Sequence, residues 1–171
     1  MILSMSQQCS LPRLDRWTVS RRVGWGMAGV LLAVTLAALA APWLRQGWLY
    51  QFFSTACHQM PGRCYSFDGH PTALCVRCLW LYLGLGLGHA VFCECRLGER
   101  AGRRLLLASA GLLLADVAFE SLRLHPDLPF VRAATGLWFG FACSWFTLRG
   151  LTELLHSQKC NVPNCHEPNH P

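Results

Sequence analysis

The sequence predicts an all-α fold, a polytopic membrane bundle of about four transmembrane helices. Three observations carry this expectation. Hydrophobic residues make up 53% of the 171 and charged residues only 14%, against about 25% charged in soluble domains. Four long apolar stretches follow one another along the chain. The basic residues gather at the ends of those stretches, where membrane topology places them. The net charge is +6, and of fifteen Lys and Arg only Lys159 is a lysine. That clustering argues against a nucleic-acid partner and for the lipid bilayer; protein partners are not indicated.

The first stretch, Val23 to Leu44, carries no charge and is long enough to span. A cleaved signal peptide ending at Ala38-Leu39-Ala40 is its rival reading, but the run exceeds a typical signal core. The second, Pro71 to Cys93, carries Arg77 near its start; the third, Leu105 to Leu122, carries Asp116 and Glu120; the fourth, Leu128 to Leu148, carries Arg132. In lipid every backbone group must bond internally, so all four read as helices, about 23–44, 71–93, 105–122 and 128–148. Gly84 with Gly88, and Gly136 with Gly140, form small-xxx-small pairs that read as helix packing.

Basic residues set the orientation. Arg13, Arg16, Arg21, Arg22, Arg96, Arg100, Arg103, Arg104, Arg149 and Lys159 fall on one side, read as the cytoplasm; Arg45, Arg63, Arg77, Arg123 and Arg132 are the remainder. The expectation is a multi-pass protein of the cytoplasmic (inner) membrane with a cytoplasmic tail 1–22 and a membrane domain 23–149. Within that domain an outward loop spans 45–75, and a second cytoplasmic tail follows at 150–171.

The outer loop holds Cys57-His58-Gln59-Met60-Pro61-Gly62-Arg63-Cys64 and then Cys75-Val76-Arg77-Cys78. A C-x-x-C at the start of a helix puts both sulfurs on one face, where the helix dipole and Arg77 favour thiolates. Thiolates serve a metal or a disulfide exchange equally. Three cysteines and a histidine make a tetrahedral ligand set. Cys64 makes the loop cysteines even in number, which suits structural disulfides. Spacing alone leaves metal, redox chemistry and structural disulfides open.

At these residues the sequence resembles the bacterial membrane proteins of the domain of unknown function 2085 family. The resemblance rests on Cys57-His58-Gln59, Pro61, Arg63, Cys75-Val76-Arg77-Cys78, Tyr82 and Gly84, then Asp116, Arg132, Thr135, Gly136 and Gly140. It covers roughly Phe52 to Phe146. The chain departs from the family pattern at Cys64, usually Ser, at Pro129, usually Asn, and at Leu79-Trp80, usually Thr-Gly. The first departure implies that Cys64 is dispensable and the core set is Cys57, His58, Cys75 and Cys78. The family name supplies no activity.

Around that set, Asp116 and Arg132 are expected to form a supporting polar pair, with Arg63 and Arg77 steadying thiolates or an anion, or else snorkelling to headgroups, and Glu120 facing solvent. Cys160, Cys165, His166 and His170 have metal-like spacing in a Pro/Asn-rich stretch that reads as a disordered tail. Cys93 and Cys95 read as inert. The leading expectation is a membrane metal-binding protein with zinc, or copper(I), at Cys57, His58, Cys75 and Cys78. The rival is a thiol–disulfide oxidoreductase, with Cys75 and Cys78 as the redox pair and Cys57 and Cys64 as the shuttle pair. It resembles quinone-linked disulfide generators and vitamin K epoxide reductases in layout only, and a quinone would be its cofactor.

Overall fold

The computed structural model describes residues 16–44, 46–95, 97–122 and 128–160. It is mostly helical. Helix α1 runs Arg16–Leu44, α2 Gly47–Ser54, α3 Val76–Phe92, α4 Glu99–Ser121 and α5 Pro129–Cys160. By length and composition one helix, Thr18–Leu44, is apolar enough to cross a membrane among the described residues.

The loop expected at 45–75 is not irregular. It contains α2, a short 3-10 turn at Pro61–Arg63, and a hairpin of β1 (Cys64–Phe67) and β2 (His70–Cys75). Asp68 and Gly69 both take positive φ, 49° and 78°, the handedness that a two-residue hairpin turn requires. Pro71 lies opposite Ser66 in this two-stranded sheet, where a missing N–H is tolerated. Residues 71–75 are therefore strand, and α3 begins at Val76 instead of position 71. At the ends, α1 starts within the expected tail and α5 continues to Cys160. Cys165, His166 and His170, and with them Arg13, Arg45, Arg96 and Arg123, lie outside the described residues.

The helices alternate in direction. Arg21, near the start of α1, pairs with Glu94 just beyond the end of α3. Trp43, near the end of α1, lies 4.8 Å from Phe67 in the hairpin that leads into α3. The end of α4 meets the starts of α3 and α5 through Asp116, Glu120, Arg77 and Arg132. One end of the bundle thus collects the hairpin, α2 and all the ionised groups of α4's last turns.

Beside its apolar core the bundle buries several polar groups, while large apolar side chains face outward. Arg132 is 6% exposed, and His89, Ser109, Thr135 and Ser144 are buried, while Phe130 is 82% and Leu107 72% exposed. Leu114, Phe119, Trp138 and Phe146 also face outward. Such a surface is stable against lipid and costly against water.

Helices α3 and α5 touch backbone to backbone. A Cβ at Gly84 would collide with the Leu137 carbonyl, one at Gly140 with the Leu81 carbonyl, and one at Gly136 would sit 2.5 Å from the Arg77 carbonyl oxygen. The two small-xxx-small pairs face each other across this seam. In contrast, a Cβ at Gly111 of α4 meets nothing. Gly136→Ala should therefore destabilise by about 1–3 kcal/mol through overpacking, whereas Gly111→Ala should be neutral or stabilising by up to about 1 kcal/mol. Thermal melts of the two variants in detergent check this, and equal melting points would contradict the seam.

Candidate functional site

The site starts from α2. Its Leu49 and Phe53 are buried against Ala73 and Leu74 of β2 and Ala38 and Ala41 of α1. The chain then turns, with the Cys57 N–H donating to the Phe53 carbonyl at 2.9 Å. Gln59 takes φ 49°, and its side-chain Nε2 donates to the carbonyls of Tyr50 (2.7 Å) and Ala73 (2.9 Å). That amide fastens the Cys57-His58-Gln59 segment to both α2 and β2. The Tyr50 hydroxyl adds a bond to the Pro71 carbonyl at 2.7 Å.

Cys75 ends β2 and caps the N-terminus of α3 in extended conformation. Cys78 follows one turn later. The Sγ atoms of Cys57, Cys75 and Cys78 lie within 4.8 Å of one another. The Cys75 N–H donates to Cys57 Sγ at 3.3 Å. The Cys78 thiol, by hydrogen bonding, holds the Cys75 thiol well below its usual range, against the opposing effect of burial. The start of α3 adds the positive end of its dipole, so one thiolate, at Cys75, is favoured within the cluster.

His58 is exposed and its ring is not among the three-sulfur group. It does line the same cavity, about 310 Å³, which the three cysteines share with Met60 and Arg63. Cys64 stands opposite Cys75 in the hairpin register. Burial, then the facing sulfurs of Cys75 and Cys57, push its thiol up to about 11. Cys64 is thus the neutral neighbour of the Cys75 thiolate.

Behind the cysteines lies a charged cluster. Arg77 Nη2 donates to Asp116 Oδ2 at 2.5 Å and to Glu120 Oε2 at 3.0 Å. Arg132 grips Glu120 with two bonds, at 2.7 and 3.3 Å. Arg63 reaches Glu120 at 2.6 Å, and the Thr135 hydroxyl donates to Asp116 at 3.1 Å. Glu120, expected in solvent, is 14% exposed and receives three arginines. The expected Asp116–Arg132 pair is therefore replaced by Asp116 with Arg77 and Arg132 with Glu120, because Glu120, one turn further along α4, reaches Arg132. Asp116 and Glu120 stand four apart on α4, which puts both carboxylates on one helix face; that spacing was the available sequence signal. Gln59 and Tyr50, which position Cys57, gave no such signal.

Helices with apolar exteriors around buried polar groups, carrying a three-cysteine cluster at one end, define a membrane protein with a sulfur-rich site. Residues 57–146, more than half of the chain, match the family described as "Predicted membrane protein (DUF2085)". The chain belongs to that family. An uncharacterised protein of Methanocaldococcus jannaschii is 41% identical over 113 residues, which span 64% of this chain and 72% of that protein. That relative is archaeal, so similarity reaches beyond the bacterial proteins the sequence resembles. No solved structure matches.

The charge cluster makes a graded prediction. Arg132→Gln removes the most buried of the three arginines on Glu120, leaving Arg63 and Arg77 in place, and should cost about 2–3 kcal/mol. Arg63, whose side chain is 46% exposed, should cost at most about 1 kcal/mol when changed to Gln. Detergent melting curves of both variants measure the difference, and the reverse order would contradict the arrangement.

Proposed function

We propose that the chain is a four-span protein of the cytoplasmic (inner) membrane that binds one metal ion at an outward-facing site. Cys57, Cys75 and Cys78 supply thiolates and His58 the fourth ligand. The observation that carries the reading is the approach of three sulfurs from two separate segments to within 4.8 Å. Negative sulfurs so close repel one another, and a cation between them relieves this. Zinc is the default for such a donor set, with copper(I) the alternative, and the Met60 thioether on the cavity wall suits the softer ion.

Support for four spans comes from the alternating helices and their lengths. At about 1.5 Å per residue, α1, α4 and α5, of 29, 23 and 32 residues, exceed the ~30 Å hydrocarbon core. Helix α3, with 17 residues, reaches about 26 Å and is extended by the hairpin at one end. Burial of Arg77, Asp116, Glu120 and Arg132 against one another is how charges persist near a bilayer. The basic residues Arg21, Arg22, Arg100, Arg103 and Arg104 lie at the opposite end from the cysteines, which makes that end cytoplasmic.

A second reading, a membrane thiol–disulfide oxidoreductase, is favoured by the pairing of Cys64 with Cys75 across the hairpin. In it, Cys75 and Cys78 form a disulfide by passing two electrons and two protons to a quinone. Cys57 and Cys64 shuttle oxidising equivalents to an outer thiol protein.

Two variants separate the readings. Under metal binding, Cys64→Ser keeps about one metal per chain, while His58→Ala loses most of it. Under the redox reading, Cys64→Ser abolishes disulfide transfer and His58→Ala is mild. Elemental analysis and a thiol-oxidation assay on the same preparations decide. Reporter fusions after Gly62 and Gly98 should read outside and cytoplasm respectively; an outside signal at Gly98 overturns the topology.

A further inference from the structure

At the end of the bundle away from the cysteines, two cavities meet at one tryptophan. The first, about 360 Å³, is lined by Thr18, Arg21, Arg22 and Trp25. The second, about 280 Å³ and almost wholly apolar, runs from Trp25 along the α1–α3 seam past Gly29, Leu32, Gly86 and Leu87. We propose that the pair is a binding site for one anionic phospholipid, its phosphate held at Arg21, Arg22 and Thr18 and one acyl chain laid in the glycine-floored groove. This rests on the reading of α1 and α3 as lipid-facing spans.

Charge and depth both fit. Among the described residues, Glu94 is the acid at this corner. It takes the Arg21 guanidinium at 2.9 Å and the Trp25 indole N–H at 3.3 Å. Among the described residues, Glu94 offsets one of the two positive charges, and Arg22 is exposed. A headgroup phosphate balances that remaining charge, at about 1 kcal/mol per basic residue. Trp25 sits where an aromatic ring marks the membrane–water boundary. From Trp25 to Leu32 the helix descends about 10 Å, most of one leaflet of the ~30 Å core. A Cβ at Gly29 would touch nothing, whereas one at Gly86 would meet Leu31 Cβ at 3.5 Å, so the open room lies at Gly29. The same opening makes a clean test: Gly29→Leu fills the groove without crowding the bundle, and Gly26→Leu, also unobstructed but outside the groove, is the control.

The experiment is native mass spectrometry of the full-length protein in detergent, titrated with phosphatidylglycerol or phosphatidylcholine. Wild type and Gly26→Leu should retain one phosphatidylglycerol in preference to phosphatidylcholine. Arg22→Gln should weaken that retention about fivefold, the equivalent of one basic contact, and Gly29→Leu should weaken it at least as much. Equal retention of the two lipids by wild type would overturn the proposal, as would unchanged retention in Gly29→Leu. Full displacement by inorganic phosphate would also overturn it, by assigning the corner to a free anion. Failure of the spanning reading shows in the reporter fusions, whereas failure of this site shows only in the lipid counts.

Discussion

Glu120 is the fixed point of the cysteine-bearing end. Its carboxylate is 14% exposed and takes Arg63, Arg77 and Arg132 from three different parts of the chain. At about 3 Å and an effective dielectric of about 20, each such pair attracts by roughly 5 kcal/mol before desolvation is subtracted. The net contribution to stability is far smaller. What the cluster supplies is position, because each guanidinium can satisfy the carboxylate from only a few helix rotations. Asp116, one turn earlier, shares the same Arg77 Nη2 with Glu120 and accepts from the Thr135 hydroxyl. Helix α4, whose buried residues are few, is thereby held to α3, α5 and the turn before the hairpin.

The cysteine site inherits this constraint through Arg77. That residue stands between Cys75 and Cys78, so anchoring its side chain on α4 fixes the rotation of the first turn of α3. With the rotation fixed, Cys75 and Cys78 face Cys57 and not the bilayer. From the other side, Gln59 and Tyr50 lock Cys57 against β2. Two independent anchors thus converge on three sulfurs, of which Cys75 is the one held as thiolate by the Cys78 hydrogen bond. Cys64 is held neutral beside them. Arg63 is common to both clusters, since it lines the cysteine cavity and pairs with Glu120.

Much of this was legible in the sequence. The apolar stretches marked α1, α3, α4 and α5, and the C-x-x-C with the upstream cysteine marked the sulfur cluster. The hairpin was missed although Asp68-Gly69, between Phe67 and His70, is a strong hairpin signal. Pro71 before an apolar run looked like a helix start, and both readings fit the local residues until the register was known. Partner choice among charges was less accessible. Arg77 and Glu120 are 43 residues apart, and nothing local says which of Asp116 and Glu120 meets which arginine. His58 is a third case, since sequence adjacency to Cys57 places it at the rim of the cavity and leaves its ring to rotate into or away from the sulfurs.

The central claim is that three cysteine sulfurs, fixed by the charge cluster, hold one metal ion. X-ray absorption at the metal edge, on protein purified under reducing conditions, tests it most directly. The account predicts one metal per chain with three sulfur neighbours at about 2.3 Å and one nitrogen neighbour near 2.0–2.1 Å, the distances zinc makes to thiolate and imidazole. A metal-free protein whose Cys75 and Cys78 are recovered as a disulfide would contradict it.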